Sequence, residues 1–137
     1  MSLGVPQSNA LSAKPPPCNS VLLVDDDVDT LETLEEVLTF EGVAEVRHAR
    51  TLREAEELLA SGFVPSVVVL DLALAGERGE VLLERLRADE TLARVPVVAV
   101  SGDHRALASI GPSVARTLLK PARPSDLVEA LRDVCRA

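Results

Sequence analysis

Residues 66–70 (SVVVL) and 95–100 (VPVVAV) are uncharged and almost wholly apolar. A strand with one face in water alternates apolar and polar side chains. Short continuous apolar runs therefore describe strands covered on both faces. Such coverage calls for a parallel sheet between two layers of helices, and this constrains the fold more than any other feature of the chain. Residues 21–24, 43–48 and 116–119 read as three further strands, giving five.

The segments between the strands have helical spacing. Leu31, Leu34 and Leu38 recur at i, i+3 and i+7. Thr51 and Glu54 form a capping-box pattern ahead of a face made by Leu52, Ala55, Leu58 and Leu59. Residues 81–86 give a third helix. Gly111 and Pro112 confine a fourth to about residues 105–110. Ser125 is the expected cap of the last, with Leu127, Val128, Leu131 and Val134 facing inward. The alternation predicts an α/β fold, a doubly wound five-stranded parallel sheet with right-handed crossovers.

Residues 1–19 (MSLGVPQSNALSAKPPPCN) lack periodicity and contain a proline triplet, so they read as a disordered or polyproline tail, leaving residues 20–137 as the folded domain. With two Phe and no Tyr or Trp, the core must be built from Val, Leu and Ala. The formal net charge of −8 disfavours direct contact with nucleic acid or an anionic membrane. Cys18 and Cys135 lie far apart in the chain, forming neither a zinc pattern nor a disulfide framework, and their usage predicts a reducing, cytoplasmic setting. No signal pattern opens the chain, and Asp71 interrupts its longest apolar run, so no membrane span is expected.

The chemistry is concentrated where the strands end. In VLLVDDDVD, residues 21–29, an apolar strand runs straight into Asp25, Asp26 and Asp27. Like charges about 4 Å apart repel by ~4 kcal/mol at an effective dielectric near 20, so crowding them needs a reason. Ligands of open α/β sheets bind outside the carboxyl ends of the strands. Those ends supply Asp25 and Asp26, Asp71, Ser101 and Lys120 from four different strands. A divalent cation and the Lys120 ammonium together balance Asp25, Asp26 and Asp71. An all-oxygen donor set with room for a phosphate oxygen suits Mg²⁺. A carboxylate can itself be the nucleophile in phosphoryl transfer, and Asp71, alone at the end of a deeply apolar strand, is the candidate. Singly, each residue has an ordinary explanation as a helix cap, a turn residue or a solvated charge; together, at successive strand ends, they make a site.

These residues resemble the receiver domain of two-component response regulators, from about residue 20 to the C-terminus. VLLVDDD is similar to the family's acidic-pair strand and carries Asp25 and Asp26 onto its metal-binding positions. VVVLDLALAGERG resembles the phosphoacceptor segment, with Asp71 as acceptor, the Ala73 backbone carbonyl as a metal ligand and Gly79 at the family's glycine. VPVVAVSG resembles the strand ending in the hydroxyl residue, here Ser101, and LLKP the lysine-proline motif, here Lys120 followed by Pro121 after a cis bond. The resemblance implies a flavodoxin-like (βα)5 receiver fold with a shortened fourth helix. It implies Mg²⁺-dependent transfer of a phosphoryl group to Asp71 from a histidine kinase or phosphotransfer protein. The domain would promote its own phosphorylation and dephosphorylation and signal to an unidentified protein by contact. The sequence reads as a receiver without its own output module, signalling by direct protein contact or cut from a longer protein.

Three departures bear on switching. Thr117 stands where the family usually has Tyr or Phe, Ala122 where Phe often follows the lysine-proline pair, and the stretch from Ser101 to Lys120 is short by roughly a turn of helix. Ala75 replaces a common proline, Asp103 occupies a position that tunes dephosphorylation, and His104 falls close to the site in sequence. Two other readings compete. A haloacid-dehalogenase-like phosphatase would require Thr or Val where Asp29 stands and a second Asp that DLALA lacks. A phosphorylation-independent interaction module is favoured by Thr117 and opposed by the complete acidic site.

Overall fold

The computed structural model describes residues 15–136. The chain runs β1 (Ser20–Val24), α1 (Val28–Phe40), β2 (Glu45–Ala49), α2 (Leu52–Ala60), β3 (Val67–Asp71), β4 (Ala73–Leu74), β5 (Glu77–Arg78), α3 (Glu80–Ala88), β6 (Val97–Ser101), α4 (His104–Ile110), a 3-10 turn (Gly111–Ser113), β7 (Arg116–Leu119) and α5 (Pro124–Arg136). Five strands form one parallel sheet in the order β2-β1-β3-β6-β7. The order reverses at β1, since β2 lies to one side of it and β3 to the other. The carboxyl ends of β1 and β3 therefore flank the crevice where doubly wound sheets bind ligands.

The uninterrupted apolar runs are explained by what covers each face. Leu22, Val24, Val68, Leu70, Val97 and Ala99 point into a core closed by α2, α3 and α4. Their neighbours Val21, Leu23, Val67, Val69 and Val98 point the other way, into a core closed by Leu31 and Leu38 of α1 and Leu127, Val128 and Leu131 of α5. Burying each such side chain contributes roughly 1.5–3 kcal/mol. With period-two alternation, both halves of every central strand must be apolar.

Several expected boundaries shift for identifiable reasons. Expected over residues 43–48, β2 starts at Glu45, because Val43 N–H closes the end of α1 on Leu38 O and pairing begins beyond it. Expected over residues 95–100, β6 starts at Val97, because Val95 N–H belongs to a turn on Leu92 and Pro96 has no N–H. The third strand extends to Asp71 itself. The segment after Asp71, not among the strands read from the sequence, is a small hairpin of β4 and β5 turning at Gly76, whose φ of 72° favours glycine. Ser125 does not cap α5: Pro124 begins the helix, and Asp126 Oδ2 accepts the Arg123 N–H instead. The short α4 is observed as expected, extended by the 3-10 turn.

Two expectations about the chain ends require correction. Of the tail anticipated over residues 1–19, residues 1–14 lie outside the described residues, but residues 15–19 pack on the domain. Pro16 lies against Gly42, Cys18 is buried, and Asn19 O accepts the N–H groups of Ala44 and Glu45. The cysteines, expected to be unpaired, form a Cys18–Cys135 disulfide with Cα atoms 5.8 Å apart. Their separation of 117 residues in sequence concealed a closeness that the fold creates by bringing the C-terminal end of α5 beside the start of β1.

Candidate functional site

The carboxyl edge of the sheet carries the site. Asp25 follows β1 and is buried. Its Oδ1 accepts the N–H of Asp27 at 2.9 Å, which turns the chain away toward α1. Asp26, half-buried, accepts the Ala75 N–H at 2.9 Å and so ties the hairpin after β3 to the end of β1. Asp27 faces outward, accepting the Thr30 hydroxyl at 2.6 Å at the start of α1, and Asp29 lies exposed in the first turn, where a negative charge suits the helix dipole. The run of acids thus divides: Asp25 and Asp26 belong to the site, Asp27 and Asp29 to the helix.

Asp71 is 3% exposed at the end of β3. Its Oδ1 accepts the Ala73 N–H and its Oδ2 the Lys120 ammonium, both at 2.9 Å. Carboxylate oxygens of Asp25, Asp26 and Asp71 lie within 4.8 Å of one another. Lys120 follows β7, and its peptide bond to Pro121 is cis, as the resemblance implied. Its N–H donates to Ser101 O at 2.8 Å. Ser101 is buried at the end of β6, and its hydroxyl accepts the Asp103 N–H at 3.0 Å. All five strand-end side chains read from the sequence therefore reach this edge, and Asp25, Asp26, Asp71 and Lys120 converge directly.

Burial pushes the Asp25 carboxyl above its ordinary value. The Asp27 N–H and Lys120 oppose that shift, while Asp71 and Asp26 reinforce it. Burial acts to lower Lys120, but the hydrogen bond and charge of Asp71, with Asp25 and Asp26 beyond, outweigh it and leave the ammonium above its ordinary value. The Asp25 direction reports chiefly burial, and the Lys120 direction the negative charge gathered around its ammonium. The all-oxygen donor set of this pocket is one that a hard divalent cation accepts.

Sequence reasoning missed the Glu77 anchor, and it named Gly79, Asp103 and His104 without the contacts the fold gives them. Glu77 in the hairpin accepts the Leu52 N–H at 3.1 Å, anchoring the hairpin to the start of α2. Gly79 passes so close to β3 that a Cβ there would lie 2.6 Å from Asp71 O and 3.0 Å from Leu72 Cα. Asp103 accepts the N–H groups of Arg105 and Ala106 as the cap of α4, and His104 is exposed on the first turn of that helix. The hairpin register and the approach of Gly79 depend on long-range closure, for which the local sequence carries no signal beyond the glycine itself.

The response regulator receiver domain family matches residues 21–132. The chain belongs to that family. This receiver is similar to a structure described as a response regulator from Chloroflexus aurantiacus J-10-fl, with a TM-score of 0.78 and 29% identity over 90% of this chain and 100% of that one. It is similar also to the CheY-like response regulator receiver domain of Methylobacillus flagellatus, with a TM-score of 0.74 and 25% identity over 85% of this chain and 98% of that one. The signal receiver domain of a signal transduction histidine kinase from Syntrophus aciditrophicus shares the fold, with a TM-score of 0.75 at 22% identity, over 86% and 90% of the two chains. A search of curated proteins gave no match.

The receiver's departures have structural counterparts. Thr117, half-buried on β7, pairs with Ala99. Ala122 lines a crevice of about 650 Å³ between α1 and α5, floored by Leu23, Val69, Val100 and Leu118 and opening at Asp71. The 3-10 turn that replaces part of the fourth helix is held from α3, where Arg87 donates to the carbonyls of Ala93 and Val95 at 3.1 and 3.0 Å and of Ser113 at 3.4 Å. No helix among the described residues is long and apolar enough to cross a membrane.

Proposed function

We propose that this receiver is a phosphoacceptor whose Asp71 takes a phosphoryl group from a histidine kinase or histidine phosphotransfer protein. The observation that carries the reading is the Asp71 carboxylate, buried at the topological switch point between the Lys120 ammonium and the acidic pair Asp25 and Asp26. A carboxylate oxygen of Asp71 forms a bond to phosphorus as the P–N bond of the donor phosphohistidine breaks, and the imidazole leaves with that electron pair. Catalysis of this kind is chiefly positioning and charge stabilisation.

Asp25, Asp26, Asp71 and the Ala73 carbonyl would hold Mg²⁺, which supplies the positive charge that lets a phosphoryl group approach three carboxylates. Lys120 neutralises Asp71 in the resting site and remains beside the acceptor to meet the incoming negative charge. The Ser101 hydroxyl is the third group assigned to the transferred phosphoryl oxygens. The same residues hold the acyl phosphate for its hydrolysis, so the domain promotes both its phosphorylation and its dephosphorylation. Output is by contact with a further protein in the cytoplasm, without direct contact to nucleic acid, in keeping with the net charge of −8.

Intact mass after incubation with Mg²⁺ and a small acyl phosphate tests this reading. One labile phosphoryl adduct is expected on the wild type and none on Asp71→Asn. Equal labelling of both proteins would refute it. Thr117 and the pinned 3-10 turn favour one further element: the signal is read through a rearrangement that needs no inward-moving aromatic ring. A large change in amide exchange on phosphorylation, confined to α4, β7 and α5, would count against that element.

A further inference from the structure

We propose that Cys18 and Cys135 are a reversible thiol–disulfide exchange site. In this proposal it locks residues 15–19 onto α5 and takes a small anionic thiol of the glutathione class as its exchange partner. The site lies at the amino edge of the sheet, opposite the acidic pocket. A crevice of about 550 Å³ there is lined by Cys18 and Cys135 with Pro17, Ser66, Arg94 and Pro96 among others. Arg94 is the one charged residue among its lining residues, so the fixed charge lining this crevice is positive. A neighbouring cation favours the thiolate, the reactive form, and attracts a carboxylate-bearing thiol.

The two sulfurs differ in access. Cys18 is 6% exposed, whereas Cys135, on the last turn of α5, is half-buried. The Cys135 thiolate attacks the small disulfide and expels one thiolate, which takes up the proton Cys135 has lost. Cys18, on losing its own proton, attacks the sulfur of Cys135 in that mixed disulfide and releases the second small thiol. One small disulfide and two protein thiols thus become two small thiols and the Cys18–Cys135 bond, and an excess of the small thiol reverses every step.

The bond has a conformational consequence because it is the one covalent tie between the strap and α5, beside the burial of Pro17 and Cys18 and a handful of polar contacts. Arg132 on α5 donates to Pro15 O and pairs with Glu41, Pro16 rests on Gly42, and Asn19 O holds the N–H groups of Ala44 and Glu45 ahead of β2. With the bond reduced, these contacts and the burial of Pro17 and Cys18 are what retain residues 15–19. The lock therefore couples the redox state of the surroundings to the mobility of the strap and of the C-terminal end of α5. It makes no use of Asp71.

The experiment equilibrates the full chain across ratios of oxidised to reduced glutathione, traps thiols with a maleimide and reads intact mass. The expected result is a single step from two labels to none, reversed by added reduced glutathione. Retention of two labels in fully oxidised glutathione, or a stable double glutathione adduct, would overturn the proposal. Arg94→Ala is expected to slow oxidation by oxidised glutathione roughly threefold more than it slows oxidation by the uncharged disulfide of 2-mercaptoethanol, with which only the effect on the thiolate is lost. Equal slowing with both reagents would remove the anionic partner. Amide exchange of Ala44 and Glu45 is expected to accelerate on reduction, and identical exchange in the two redox forms would show that the bond locks nothing.

Discussion

Lys120 Nζ donates to Oδ2 of Asp71 at 2.9 Å, across the end of the strand that separates β7 from β3. Asp71 Oδ1 is occupied by the Ala73 N–H, so both oxygens of a nearly inaccessible carboxylate are held by neighbours of known origin. The pair fixes where the acceptor sits and explains why a lysine at a strand end is held above its ordinary titration range despite its partial burial.

That shift has a pH signature. A group whose value is raised on folding contributes stability that is fully present below its unfolded value, here 10.5, and lost as pH rises through the folded one. The wild type is expected to unfold at a higher temperature than Lys120→Ala by a margin that is constant below pH 10.5 and narrows above it. Thermal melts across pH 7–12 read this directly, and a margin that widens at alkaline pH would contradict it.

Asp25 behaves in the opposite sense at neutral pH. Its raised carboxyl contributes stability below its unfolded value of 3.8 that is lost as pH rises through the folded value, so at pH 7 its buried charge opposes folding. In metal-free buffer Asp25→Asn is expected to be more stable than the wild type at pH 7, because burial penalises the charged carboxylate. The same variant should lose most of the stabilisation that millimolar Mg²⁺ gives the wild type. Urea melts with and without Mg²⁺ measure both effects.

Gly79 is a packing requirement imposed by β3. A methyl group there would meet the Asp71 carbonyl oxygen at 2.6 Å, and backbone cannot yield as a flexible side chain can. Gly79→Ala is expected to destabilise the domain by roughly 1–3 kcal/mol and to weaken phosphoryl labelling of Asp71, because relief of the clash moves the acceptor strand. A shift in the urea midpoint at unchanged slope reports the first effect, and initial labelling rate the second.

Arg87 ties the loop ahead of β6 to the shortened fourth-helix region, donating to the carbonyls of Ala93 and Val95 in the first and of Ser113 in the second. Arg87→Ala leaves those acceptors to water and is expected to cost about 1–3 kcal/mol. Amide exchange should rise around the 3-10 turn Gly111–Ser113 while the acidic edge stays protected. Unchanged exchange at that turn would show that other contacts fix it.

The fold was legible because its central strands are apolar on both faces. In residues 67–70 and 97–100 no period-two alternation competes with burial, and the helices between them carry clear apolar faces. The site was legible because each of its side chains ends a strand, a position set by the strand pattern alone. What remained hidden depended on closure in space. The Cys18–Cys135 bond, the Glu77 anchor on α2 and the packing of Pro16 on Gly42 join residues whose local sequence gives no hint of one another. Asp126 replaced Ser125 in the capping of α5 because Pro124, with its fixed φ, started the helix two positions earlier.

The central claim is that one carboxylate, Asp71, becomes the acyl phosphate. Borohydride reduction of the labelled protein converts an aspartyl phosphate to homoserine, and peptide mass mapping locates the conversion. The account predicts conversion at position 71 alone, only when Mg²⁺ and the phosphodonor are both present. Conversion at Asp25 or Asp26, or none in a protein that binds Mg²⁺, would contradict it.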